Sequence, residues 1–235
     1  MRTLKLPRTL LAGLALATFT TAAFAAAPTP FTATYQVSRD GEAMGEATIT
    51  LKALGNGEYE YSNQIHGTSG LAAMLGANTS DVTRFRWNNN APETETYNSK
   101  VSALKTKQRL MQVNWNTKQV SVDDGKGATN YAAEPGMVDR NTMSLALGLA
   151  LRAGNQSVTL PVGVKQRVEQ QQFKVTGTEE VKVPAGSFQA ERVTRTDSDK
   201  HFDAWYVPKQ FPLPVKLAQS EGGDLTLQLV HYSTP

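Results

Sequence analysis

The sequence predicts a mostly β protein: a single curved antiparallel sheet forming a barrel or half-barrel, with one helix covering an end or face. Roughly fourteen runs alternate apolar and polar residues with the period of two that a half-buried strand requires. Clusters of Gly, Asn, Asp and Pro separate these runs, as turns between antiparallel strands do. One stretch alone carries helical spacing. A sheet this long must close, or be covered, to protect its edges and bury its inner face.

The first strand begins at Phe31, with Phe31, Ala33, Tyr35 and Val37 on one face and Thr32, Thr34, Gln36 and Ser38 on the other. Asp40-Gly41 supplies the tight turn, residues 43–53 return, and Gly55-Asn56-Gly57 turns the chain into a third strand carrying Tyr59, Tyr61 and Ile65. Residues 67–77 lose the alternation and read as a short helix or an apolar flap. Strands resume over 79–87 and, after a long polar turn at Asn88-Asn89-Asn90 and Pro92, over 93–101, 109–115 and 119–123. Residues 142–153 are the helix: Asn141 or Thr142 caps its start, Leu145 and Leu149 with Met143, Ala146 and Ala150 form its apolar face, and Gly154 ends it. Strands return at 158–160, 166–176 and 179–183. No repeat or linker interrupts the chain, so residues 26–235 read as one β domain.

The C-terminal part has the most distinctive order. V-P-A-G-S-F-Q-A-E-R-V from Val183 to Val193 reads as a hairpin, D-A-W-Y-V-P from Asp203 to Pro208 as a strand, and L-P-V-K from Leu213 to Lys216 as its successor. L-T-L-Q-L-V-H-Y from Leu225 to Tyr232 closes the chain. With F-T-A-T-Y-Q-V near the start, A-P-E-T-E-T-Y at Ala91 and D-R-N-T-M-S at Asp139, this order resembles the bacterial envelope family catalogued as domain of unknown function 3108. The resemblance implies a secreted, mostly β protein and carries over no catalytic set. At the level of fold alone, the expected architecture resembles the periplasmic lipoprotein carriers.

Residues 1–25 read as a cleavable signal peptide. Arg2, Lys5 and Arg8 precede an apolar run over 10–19, and Ala23-Phe24-Ala25 fits a signal-peptidase site. That run is short for a membrane span, so the expected destination is the periplasm, without a stable anchor after cleavage. The chain has no cysteine, hence neither disulfide nor lipid attachment site. It has 24 Lys and Arg against 21 Asp and Glu; the leader takes three basic residues and no acidic one, leaving 21 of each sign. This balance argues against a nucleic-acid partner.

Candidate chemistry is sparse. His201 and Asp203 lie two apart on one strand, where Asp203 can orient His201 as a general base or the two can share a metal with His66 or His231. Gly67-Thr68-Ser69-Gly70 lacks the spacing of a nucleophile elbow, although Ser69 follows His66 closely. None of the three histidines shows a recognised metal spacing, and no cofactor motif is present. The aromatic residues, Trp87, Trp115, Trp205, Tyr35, Tyr59, Tyr61, Tyr97, Tyr206 and Phe188 among them, fill or line a barrel. Trp205, Tyr206, Phe188, Leu71, Met74 and Leu75 are the expected ligand-binding set, beneath the 71–75 segment and the helix. Three functions stay open: a non-enzymatic binder of a lipid, another hydrophobic small molecule or an envelope component; a hydrolase using His201 and Asp203 with Ser69 or a metal; and a module whose sheet edge recruits an envelope protein.

Overall fold

The computed structural model describes residues 27–220 and 223–235; the expected leader lies outside them. β1 (Phe31–Arg39) buries Phe31, Ala33, Tyr35 and Val37, the predicted face. Asp40 and Gly41, both at positive φ, turn it into β2 (Glu42–Gly55), and β3 (Glu58–Gly67) follows. The short α1 (Gly70–Met74) leads to β4 (Asn78–Asn88) and β5 (Ala91–Ser102). The long turn expected between them is instead two residues, Asn89 and Asn90, both at positive φ. Pro92 lies inside β5, because asparagine tolerates the left-handed region well enough to make the turn tight.

Next come β6 (Lys107–Asn114), β7 (Gln119–Asp123), β8 (Ala128–Ala132), β9 (Val138–Asp139) and α2 (Met143–Arg152). The chain ends with β10 (Ser157–Gly163), β11 (Val168–Val183), β12 (Gly186–Arg195), β13 (Phe202–Tyr206), β14 (Lys216–Gln219) and β15 (Leu225–Ser233). Two expected strands fuse into β11 through a bulge between Val175 and Gly177. β8 and β9 have no counterpart in the sequence reading.

All 15 strands form one sheet, in the order β8-β7-β6-β5-β4-β3-β2-β1-β15-β14-β13-β12-β11-β10-β9. The chain thus grows outward from β1 to β8, then runs inward from the other edge at β9 to β15, which docks beside β1. Every pair is antiparallel except β9–β10, which is parallel and departs from the expected all-antiparallel sheet. The sheet is not closed by a ladder between its edge strands β8 and β9. Single bonds nevertheless tie the two halves together: Thr94 N–H donates to the Met137 carbonyl at 2.9 Å, Gly136 N–H to Glu93 at 2.8 Å, and the Tyr131 hydroxyl to the Val164 carbonyl at 2.6 Å.

α2 does not merely cover a face. Leu145, Ala146, Leu147, Gly148, Leu149 and Leu151 are all buried, which takes in its whole circumference. Leu145 and Leu149 join the cluster built on Phe31, Tyr35, Tyr61 and Phe85, whereas Leu147 and Leu151 join Phe173, Phe202 and Tyr206 from the other half of the sheet. Ala146 meets Val138 and Val162 near β9. The curved sheet wraps the helix, and the helix is the centre of the core. Its ends fall within a residue of those read, with Thr142 at the N-cap, Ala153 at the C-cap and Gly154 at φ 93°, but the Thr142 side chain makes no capping bond to the helix.

Candidate functional site

Antiparallel pairing sorts the strand ends onto two rims. The ends of β1, β3, β5, β7, β12 and β14 share one rim with the starts of β2, β4, β6, β8, β13 and β15. α1 lies on that rim too, where Thr68 and Ser69 N–H donate to the Met44 carbonyl. α2 fills the lumen toward the opposite rim and leaves a cup in front of its first turn.

The cup holds about 200 Å³. Arg140, Asn141, Met143 and Ser144 line its helix side, Tyr35, Ile49, Tyr61 and Tyr97 one wall, and Leu217, Leu225 and Leu227 another. Asn63, Asp81 and Gln219 add polar groups on the side of the α1 rim. The wall is held firmly: the Tyr35 hydroxyl donates to the Pro214 carbonyl at 2.9 Å, and the Tyr97 hydroxyl to Asp81 Oδ1 at 3.2 Å. Burial pushes the Asp81 carboxyl above its ordinary range, against the bonds from Ser99 and Tyr97 and the Arg109 charge.

Asn63 and Asn141 line this cup, and the side-chain oxygen of each has no protein donor. Asn141 Nδ2 donates to Thr83 Oγ1 at 3.1 Å, which fixes the amide and turns Oδ1 away; Asn141 Oδ1 and Asn63 Oδ1 are both shielded from solvent and accept nothing from the chain. A buried carbonyl oxygen without a donor is costly, so such a group marks a place where a polar partner is accommodated.

Beneath the cup, Asp139 organises the helix start. It is fully buried, and its Oδ1 accepts from Thr83 Oγ1, Asn141 N and Thr142 N, while Oδ2 accepts from Thr94 Oγ1 and Thr142 Oγ1. The first helical turn is thereby tied to β4 and β5. Asp139 thus holds Asn141 and Thr142, the two residues that lead into the helix.

The expected catalytic residues are placed as follows. His201 Nε2 lies 2.7 Å from Asp203 Oδ2, so the pair does meet. Asp203 is also held by Arg192 Nη2 and by Thr194 Oγ1, each at 2.5 Å, and is buried, whereas the His201 side chain is half exposed. Burial raises the Asp203 carboxyl, but the bonds from Arg192, Thr194 and His201 outweigh it and hold it below the usual range. Ser69 Oγ donates to the Ala43 carbonyl at 2.5 Å, and His66 Nδ1 lies 2.7 Å from Asn78 Oδ1; neither bonds to the His201 pair. Among the described residues no group of three His, Asp or Glu converges on one point.

This arrangement makes Asp203 an anchor for Arg192 more than a partner for His201. Asp203→Ala, which strands a guanidinium and a hydroxyl, is expected to cost about 2–3 kcal/mol in urea unfolding, and His201→Ala under about 1. Because the folded-state pKa is depressed, the contribution of Asp203 is fully present above the unfolded value of about 4 and is lost as pH falls through the folded value. Asp203→Asn should therefore flatten this part of the acid limb.

The expected ligand set lies elsewhere than the cup. Tyr206 is buried against α2, its hydroxyl donating to the Ser144 carbonyl at 3.0 Å. Trp205 sits between Lys216 and Arg192, with its indole N–H donating to Glu179 at 2.5 Å. Phe188 packs edge-on to Phe211. Met74 is 76% exposed on α1 and Leu75 is half-buried beside it, while the Leu71 side chain lies outside the described structure. Tyr35, Tyr61 and Tyr97 were in the aromatic supply, but Asn63 and Asp81 escaped sequence reasoning, as did Asn141 except as a candidate helix cap. The period of two held a signal for two of them: Asn63 interrupts the buried face of Tyr59, Tyr61 and Ile65, and Asp81 that of Thr83 and Phe85.

The family model for a protein of unknown function (DUF3108) matches residues 31–230. The crystal structure of a β-barrel-like protein of a domain of unknown function (DUF1849) from Brucella abortus is similar in fold, with a TM-score of 0.56 at 11% sequence identity. That similarity covers 88% of this chain and 98% of the other. No curated protein matches the sequence.

Proposed function

The chain belongs to the family described as a protein of unknown function (DUF3108), and from that membership and the geometry of its cup we propose an exported, non-catalytic periplasmic protein that holds a small amphiphile of the cell envelope. In this reading the sheet works as a barrel, its seam drawn together by the Thr94–Met137 and Glu93–Gly136 bonds. α2 is then the floor of a one-ended site. Barrel mouths are a usual place for apolar ligands positioned by a few polar groups.

The observation that carries the proposal is the pair of unmatched acceptors, Asn63 Oδ1 and Asn141 Oδ1, on two residues that line a cup walled by Ile49, Leu217, Leu225 and Leu227. A ligand with hydroxyl or N–H donors on a short apolar body satisfies both features. Its size is bounded, because about 200 Å³ lies below the usual range for drug-sized ligands.

Native mass spectrometry of gently purified periplasmic protein, followed by organic extraction, tests this. The expected result is a stoichiometric adduct. Asn63→Leu, which removes one acceptor, is expected to weaken its retention roughly fivefold, the equivalent of about 1 kcal/mol for one hydrogen bond. A clean apo mass, with no adduct regained on incubation with envelope lipid extract, would overturn the proposal.

A further inference from the structure

We infer that the turn between β5 and β6 is a docking tip for an anionic lipid surface. Leu104, in this turn, is 82% exposed, the most exposed large apolar side chain among the described residues. Val101 and Leu110 flank it, at 41% and 37% exposed. The stretch from Ser99 to Leu110 carries Lys100, Lys105, Lys107 and Arg109 and no acidic residue. The neighbouring β7–β8 turn brings Asp123, Asp124 and Lys126, and Asp124 is already paired with Lys165. That corner of the molecule therefore keeps a net positive charge around an unprotected leucine.

The chemistry favours a bilayer over a protein or a nucleic acid. A leucine at the tip of a hairpin, ringed by lysines, enters the interface while the long side chains reach back to the headgroups. Basic residues near an anionic leaflet each add to the attraction, and a few suffice for reversible binding without a spanning anchor. A protein partner needs a broad complementary patch, which one projecting turn does not offer. The position also has a consequence. The β5–β6 turn stands on the same rim as α1 and the strand ends that bear Gln219 and Leu225, so docking would face the cup mouth toward the lipid.

Flotation with vesicles tests the inference directly, using protein expressed from its full coding sequence. Vesicles of phosphatidylcholine with about a third phosphatidylglycerol are expected to carry the protein, and phosphatidylcholine alone is not. Binding should fall steeply in high salt. Paired Lys105→Glu and Lys107→Glu should lower it at least thirtyfold, and Leu104→Asp on the order of tenfold. These residues are exposed, so folding is checked by unchanged thermal unfolding. No binding to the anionic vesicles, equal binding to neutral ones, or binding that survives both sets of substitutions would overturn the inference. So would equal binding to a soluble polyanion, which would make the tip an unspecific anion-binding patch. Asn63→Leu is expected to leave flotation unchanged, which separates a failure here from a failure of the cup.

Discussion

Asp139→Ala is expected to remove about 3–5 kcal/mol from the unfolding free energy, one of the largest losses any single substitution in this chain can produce. The carboxylate accepts from two backbone N–H groups at the start of α2 and from the hydroxyls of Thr83, Thr94 and Thr142, and all five donors converge on a group with no exposed surface. Alanine leaves them without an acceptor where water cannot easily replace it. Asp139→Asn keeps one carbonyl oxygen for the two N–H groups and is expected to cost about 1–2 kcal/mol. The pH dependence separates the two effects. Burial raises the Asp139 carboxyl, even against its five donors, so the folded chain holds a proton at pH values where the unfolded chain has released it. At neutral pH the site therefore carries a desolvation cost that is relieved as pH falls through the folded value. The sign is opposite to that at Asp203. Denaturant unfolding of the wild type and Asp139→Asn across mildly acid pH checks it: this part of the wild-type gain should be missing in the amide. An Asp139→Ala protein of unchanged stability would mean that the helix start is not tied to β4 and β5.

The alternating strands were legible because one face of each is buried, which forces the period of two on the sequence. β1 keeps its face from Phe31 to Val37 without a break. The end of the helix was legible because Gly154 takes the positive φ that a helix end requires, whereas Thr142 stands at the start without a side-chain capping bond. The place of α2 was not. A helix buried all round shows Leu147 and Leu151 outside the stripe formed by Leu145 and Leu149, and such a pattern does not say which elements surround it. β9 escaped because two residues carry no period at all. The cup escaped for a different reason. It gathers Asn63, Asp81, Asn141 and Leu225 from four distant stretches, and only the sheet register brings them together. Large aromatics drew attention to Trp205 and Phe188, whose size suits packing as well as binding; Trp205 lies against Lys216 and Phe188 against Phe211, away from the cup.

Gly148→Ala is expected to cost about 2–4 kcal/mol, although intrinsic preference says the reverse, since alanine in a helix interior is ordinarily favoured over glycine by about 1 kcal/mol. Packing decides the sign. A Cβ at this position would lie 2.0 Å from the Pro212 carbonyl oxygen and 3.0 Å from the Tyr206 ring. The carbonyl belongs to backbone that cannot easily yield: Tyr35 holds Pro214, and Val215 N–H is bonded to the Trp205 carbonyl at 2.8 Å. The helix must then move off the 207–215 segment, and that movement would disturb the floor of the cup. Gly177→Ala serves as the control, because nothing lies within 4 Å of its added Cβ, and a change within about 0.5 kcal/mol is expected there. Urea unfolding of both variants, with adduct retention measured alongside, joins stability to function. If Gly148→Ala is as stable as the wild type, α2 is not seated against Pro212 and the cup has a different floor. If it is destabilised and also loses the adduct while Gly177→Ala loses neither, the seated helix is what shapes the site.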